Sequence, residues 1–167
     1  MSNRRDVLAL GILGTAALTA TSSDSLAATD CSPAKSAEAG SALVDRYVAA
    51  VNAHDTASFP QLFTESYIQH SGRSPSGLAA QIENFQRIFV AMPDISMKVE
   101  DRIIAGEKVV ARNTFSATHT QTVRGIAPTG KPFSFHTIDI WRIENGKFAE
   151  HWDLTDTLEV LRGLRAG

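Results

Sequence analysis

Asp139, His151 and Asp153 fall within one stretch, DIWRIENGKFAEHWD, residues 139–153. Carboxylates and imidazoles move protons, and removing a proton next to a carbonyl needs such a base. It also needs a donor for the oxygen that becomes negative. An unperturbed aspartate, with a pKa of about 3.9, is a weak base, so a site of this kind must desolvate it or set a second acid beside it. Asp139 and Asp153 on one face would titrate as a pair, with Trp141 and Phe135 as an apolar wall. In this reading Asp139, His151 and Asp153 form one acid/base site. The competing structural reading makes Asp153 the N-cap of a C-terminal helix and Asp139 an ion-pair partner of Arg112.

Whether the three share a face depends on the turn between them. Side chains alternate along a strand, so Phe133, Phe135, Thr137, Asp139 and Trp141 share one face. A two-residue Asn145-Gly146 turn pairs Glu144 with Lys147 and Asp139 with Trp152, which separates Asp153 from Asp139. A three-residue Glu144-Asn145-Gly146 loop with a bulge pairs Ile143 with Lys147. It gathers Thr137, Asp139, Trp141, His151 and Asp153 on one face. Periodicity leaves both open.

Other residues qualify as substrate contacts. His70 and His119 sit near strand ends, where either could hydrogen-bond a carbonyl. Asn52, ending the first helix, could donate to a substrate oxygen, although Asn is also a usual helix terminator. Tyr67, Phe85, Phe89, Met92 and Trp141 read as core or pocket wall, and His136 is out of phase with Asp139. No pair of histidines has ligand-like spacing on one strand face, so no metal is expected.

These residues need elements to position them. Leu43, Tyr47 and Val51, with Val44 and Val48 beside them, mark an amphipathic helix over about 36–53. A short second helix presents Phe59, Leu62 and Phe63, and TESYIQHSG reads as a strand ending at Gly72. Ser74 and Pro75 suggest the start of a further helix carrying Leu78, Ile82, Phe85 and Phe89, which Pro93 stops. After Pro93 the period becomes two: a hairpin turns at Ala105-Gly106-Glu107, RGIAPTGKP is a loop, and FSFHTIDIWRI pairs with KFAEHWDLT. A helix from about 156 to 164 closes the chain. Helices followed by consecutive antiparallel strands predict an α+β architecture with a strongly curved sheet and a pocket on its concave side.

The 167 residues, 43% hydrophobic and 20% charged, suit one folded domain. A formal net charge of −2 gives no electrostatic reason to expect nucleic acid or an anionic membrane as partner. Cys31 is the single cysteine, which excludes an intrachain disulfide. The N-terminus places Arg4-Arg5 before an uncharged run from Val7 to Ser23, with small residues around Ser25-Leu26-Ala27-Ala28. The run is too short and too diluted by Gly, Ala and Thr to be a membrane span. It reads as a twin-arginine-type signal peptide over 1–28, then a linker at 29–35 and a folded domain at 36–167. The mature protein is accordingly expected to be periplasmic or extracellular.

From about Ser41 to Leu164 the chain resembles the SnoaL-like polyketide cyclases, or ester cyclases, of the nuclear-transport-factor-2-like superfamily. The matching stretches are YIQH, FVAMPD, THTQTVRGIAPTGKPFSF and above all IDIWRIENGKFAEHWD. The resemblance implies a cone-shaped α+β barrel, a curved antiparallel sheet packed on N-terminal helices around a central pocket. It also implies an acid/base carboxylate on the last strand, matched by Asp153 as the proton-transfer group with Asp139 and His151 tuning or orienting it, in a metal- and cofactor-free ring closure. In the cyclases the partner of that carboxylate is a histidine on the neighbouring strand; Asp139 stands there instead. That departure and the export signal argue against antibiotic polyketide cyclisation. The expectation is therefore an exported enzyme of cyclase or isomerase type for a small carbonyl or ester compound. The alternative is a binding module for a small apolar ligand. A homodimer through the outer sheet face, carrying Ile138, Ile140 and Trp152, is compatible with either.

Overall fold

A computed structural model describes residues 33–72 and 74–165, all within the unit Cys31–Gly167. The expected signal peptide at 1–28 lies outside the described residues, as does the linker before Pro33. Helix α1 (Pro33–Asn52) buries Leu43, Val44, Tyr47 and Val51, the stripe expected from its spacing. A 3-10 turn (Thr56–Ser58), capped by the Asp55 carboxylate, leads into α2 (Phe59–Leu62) and directly into β1 (Phe63–Gln69). Helix α3 (Leu78–Ala91) starts later than Ser74-Pro75 suggests. Gly77 has φ +103°, and its N–H donates to Tyr67 O of β1 at 2.6 Å, which holds the approach to the helix out of helical geometry.

Strands β2 (Ser96–Ala105), β3 (Lys108–Thr118), β4 (Pro132–Glu144) and β5 (Lys147–Thr155) follow, and α4 (Thr157–Arg165) ends the described chain. The sheet order is β1-β5-β4-β3-β2. This corrects the expected cone-shaped barrel and the wholly antiparallel sheet. β1 runs parallel to β5, and β1 and β2 are two unpaired edges, so the curved sheet stays open. A barrel would need those edges to hydrogen-bond to each other. Here α1 packs along β2 and α3 against β1, so helices cover the face that closing strands would otherwise enclose.

All four helices lie on one face, as the composition of the core shows. Tyr47 of α1 makes edge-on ring contacts with Phe63, Phe85, Trp141 and Phe148. Val160 and Leu164 of α4 pack with Ile95, Ala117 and Phe133 at the other end. The opposite face carries Ile138 and Leu154, both exposed.

The β4–β5 hairpin resolves the register question in a way neither alternative anticipated. Asn145 and Gly146 both have positive φ, 51° and 73°, and Glu144 pairs with Lys147: this is the tight two-residue turn. Ile143 then pairs with Phe148, but Arg142 pairs with Glu150, so Ala149 is an extra residue on β5. This β-bulge shifts the register by one. Beyond it Trp141 pairs with His151 and Asp139 with Asp153.

Candidate active site

A cavity of about 600 Å³ lies between α3 and the inner sheet face, with Val123, Arg124 and Val160 also in its lining. Phe85, Ile88 and Phe89 of α3, Met92 just after it, and Phe115, Phe133 and Phe135 of the sheet form much of its apolar wall. Thr137 and Asp139 of β4, His151, Asp153 and Thr155 of β5, and Gln69 at the end of β1 supply polar groups. Alternation places each strand residue there: the inward phase of β4 runs through 133, 135, 137 and 139, and the bulge at Ala149 brings 151, 153 and 155 of β5 into the same phase.

Asp139 and His151 are each only 7% exposed. His151 Nε2 lies 2.7 Å from Asp139 Oδ1. Asp139 Oδ2 accepts from Asn113 Nδ2 at 2.6 Å and from the Thr137 hydroxyl at 2.5 Å. The other ring nitrogen of His151, Nδ1, lies 2.9 Å from Gln69 Nε2, and Gln69 Oε1 accepts from the Ser71 backbone N–H at 3.1 Å. The imidazole stacks on Trp141, ring centres 5.1 Å apart and 8° from parallel. Buried charge is tolerable only when hydrogen-bonded in this way. Asp153, half-buried, sits directly opposite Asp139 across the strand pair and lines the cavity.

The structural roles considered for the two aspartates belong to other residues. Arg112 pairs with Asp101, its Nη2 2.7 Å from the carboxylate, on the outer face. Asp156 Oδ1 accepts from Glu159 N at 2.9 Å and caps α4.

The remaining residues separate. Phe85 lines the cavity. Trp141 and Tyr67 lie behind it: Trp141 is the plate under His151, and Tyr67 is fully buried 6.5 Å from the imidazole. Asn52 is occupied by the backbone of β2, donating to Met97 O and accepting from Met97 N. His70 is on the outer side, stacked on Trp152 and 2.8 Å from Glu150. His119 is fully buried beside Thr129 and Phe133 and does not line the cavity. His136 pairs with Glu159 outside it.

Four residues were not singled out from the sequence as polar site groups. Gln69 and Asn113 complete the Asp139–His151 network. Gln81 is 3% exposed and lines the cavity, with no hydrogen-bond partner for its Oε1 among the described residues. Tyr47 places a phenol at the cavity wall. Burial first, then the Asp139 charge, raises both the Tyr47 and Tyr67 phenols well above the ordinary tyrosine value, so both remain O–H donors. Asn113 was legible: it is the polar member of the inward phase Val109, Ala111, Phe115. Among the described residues no group of three or more His, Cys, Asp or Glu stands within reach of a common metal ion.

The chain matches the family described as SnoaL-like polyketide cyclase over residues 41–164. Among solved structures, TsrD from Streptomyces laurentii is similar at 31% identity, covering 78% of this chain and 97% of its own, with TM-score 0.72. AclR from Streptomyces galilaeus, a proposed hydroxylase, is 27% identical over 79% of this chain and 98% of its own, with TM-score 0.70. IdmH from Streptomyces antibioticus, a proposed polyketide cyclase, is 24% identical over 74% and 96%, with TM-score 0.66, a likeness of fold. No curated protein sequence matches significantly.

Proposed function

From the premise that the chain belongs to the SnoaL-like polyketide cyclase family, we propose that the cavity carries out cofactor-free acid/base chemistry on a small carbonyl or ester compound, with Asp153 as the proton-transfer group. The observation that carries this reading is the register. The bulge at Ala149 sets Asp153 opposite Asp139 on the cavity wall. Asp139 is buried and engaged on both oxygens by Asn113, Thr137 and His151, so it orients the pair rather than reacting.

The chemistry follows from that division. Asp153 takes a proton from the carbon next to a carbonyl, and the C–H electron pair moves into the enolate. The enolate carbon attacks a second carbonyl of the same molecule in a cyclase, or is reprotonated elsewhere in an isomerase. The carboxylic acid formed on Asp153 returns the proton. Tyr47, kept protonated by burial, is placed to donate to the oxygen that becomes negative. The aromatic wall excludes water and favours an apolar substrate body. The protein is further proposed to act after export, as Arg4-Arg5 and the apolar run behind them suggest.

The second reading, a binding module, is favoured by the same closed network, which orders the cavity floor without needing to react. One experiment separates the two. An aryl ketone is incubated with the protein in D2O and exchange of its α-protons is followed by NMR. The catalytic reading expects acceleration over buffer and a loss of about 10²-fold or more in Asp153→Asn. Equal exchange in wild type and Asp153→Asn would sink the assignment, and binding without any acceleration favours the module.

A further inference from the structure

The hydrogen-bond chain behind the cavity has its polarity fixed at both ends. The Ser71 backbone N–H can only donate, and it lies 3.1 Å from Gln69 Oε1. The other arm of that amide is therefore its NH2 group, 2.9 Å from His151 Nδ1. An NH2 group cannot accept, so Nδ1 must offer a lone pair. The ring proton of a neutral imidazole then sits on Nε2, 2.7 Å from Asp139 Oδ1. Each link is dictated by the one before it, starting from a backbone amide whose polarity is invariant.

We propose that Gln69 is a positioning residue: it holds His151 as a neutral imidazole that donates from Nε2 to Asp139, which leaves Asp153 as the group that exchanges protons with the ligand. This rests on the reading above for its catalytic meaning, though not for its geometry. An imidazolium would set two donors against each other at Gln69, whereas Asp139 alone would favour the charged ring. Gln69 opposes that pull. The ring cannot swing aside to escape, because it stacks on Trp141 and because Gln69 and His151 are register partners in the parallel β1–β5 pair. The charged and titratable groups around the cavity are Asp139 on β4, Asp153 on β5, the Tyr47 and Tyr67 phenols, Arg87 on α3 and Arg124 in the β3–β4 connection. Of these, among the described residues, Asp139 is the one hydrogen-bonded to the ring.

The test reads the ring itself. Full-chain protein with 15N-labelled histidine is titrated, and the two ring nitrogens of His151 are assigned by long-range 1H–15N spectra. The neutral form is expected to show a protonated Nε2 and a bare Nδ1. In Gln69→Glu, which replaces the donor by an acceptor, a proton is expected on Nδ1 where the wild-type ring leaves it bare. Gln69→Met, which removes the amide donor without adding charge, is expected to leave Nδ1 only partly bare. A neutral wild-type form protonated on Nδ1, or an Nδ1 still bare in Gln69→Glu, overturns the proposal. The wild-type spectrum decides the tautomer whether or not the variants fold. Full activity in Asp153→Asn removes the catalytic reading and leaves this measurement standing; an Nδ1–H ring does the reverse.

Discussion

A buried amide with an unpaired oxygen costs about 1–3 kcal/mol, so Gln81 is a residue the empty protein has reason to replace. Its place on the cavity wall suggests what it is for: an amide oxygen there accepts from a ligand hydroxyl or N–H. Gln81→Leu is therefore expected to raise stability in urea melts by about 1 kcal/mol while weakening binding of a hydroxyl-bearing ligand about tenfold. A variant that loses stability, or binds as wild type does, contradicts this role. Residue identity alone pointed to Asp139, His151 and Asp153, because charged groups in the last hairpin of a half-buried sheet demand explanation. It did not point to Gln69 or Gln81. An amide shows its value only through what stands on either side of it, and those neighbours are distant in sequence, such as Gln69 and His151.

The β4–β5 hairpin shows why elements were more legible than their register. The Asn-Gly turn was readable, and the structure has it. Its usual consequence does not follow, because Ala149 drops out of the ladder and the strand changes phase behind it. Nothing about an alanine announces a bulge; the choice is made by packing, since Phe148 and Ala149 are both buried where strict alternation would expose one of them. The start of α3 was misplaced for a similar reason, as Gly77 serves a hydrogen bond to β1 that is absent from local sequence. The bulge makes a sharp prediction. Deleting Ala149 is expected to keep the turn and straighten β5, with Glu150 following Phe148 in the ladder and Asp153 still opposite Asp139. His151→Leu, which breaks the Asp139–His151 pair, is expected to cost about 3–5 kcal/mol. Asn145→Gly, which alters the turn and leaves the bulge, is expected to cost less than about 1 kcal/mol. Comparable denaturant midpoints for His151→Leu and Asn145→Gly would contradict the independence of turn and site.

Across the whole molecule, the α+β class was readable from helices preceding strands, whereas the expected barrel was not what formed. Closure is a relation between the first and last edges, and local pattern carries no information about it. The open sheet leaves Ile138, Ile103 and Leu154 exposed on the face away from the helices, and we propose that two copies pair there. Export is tested separately: a reporter fused to residues 1–35 should leave the cytoplasm, and Arg4→Lys with Arg5→Lys should retain it. Export that survives the double substitution removes the twin-arginine reading. The hairpin has one more consequence, for descent rather than for folding. Because Ala149 stands outside the ladder, a codon lost there leaves Asp139 opposite Asp153 and leaves unchanged what the cavity meets. Lineages that share the letters EHWD can thus differ by one residue before them and still turn the same side chains inward, so a gap at that place in an alignment is no sign of a changed site.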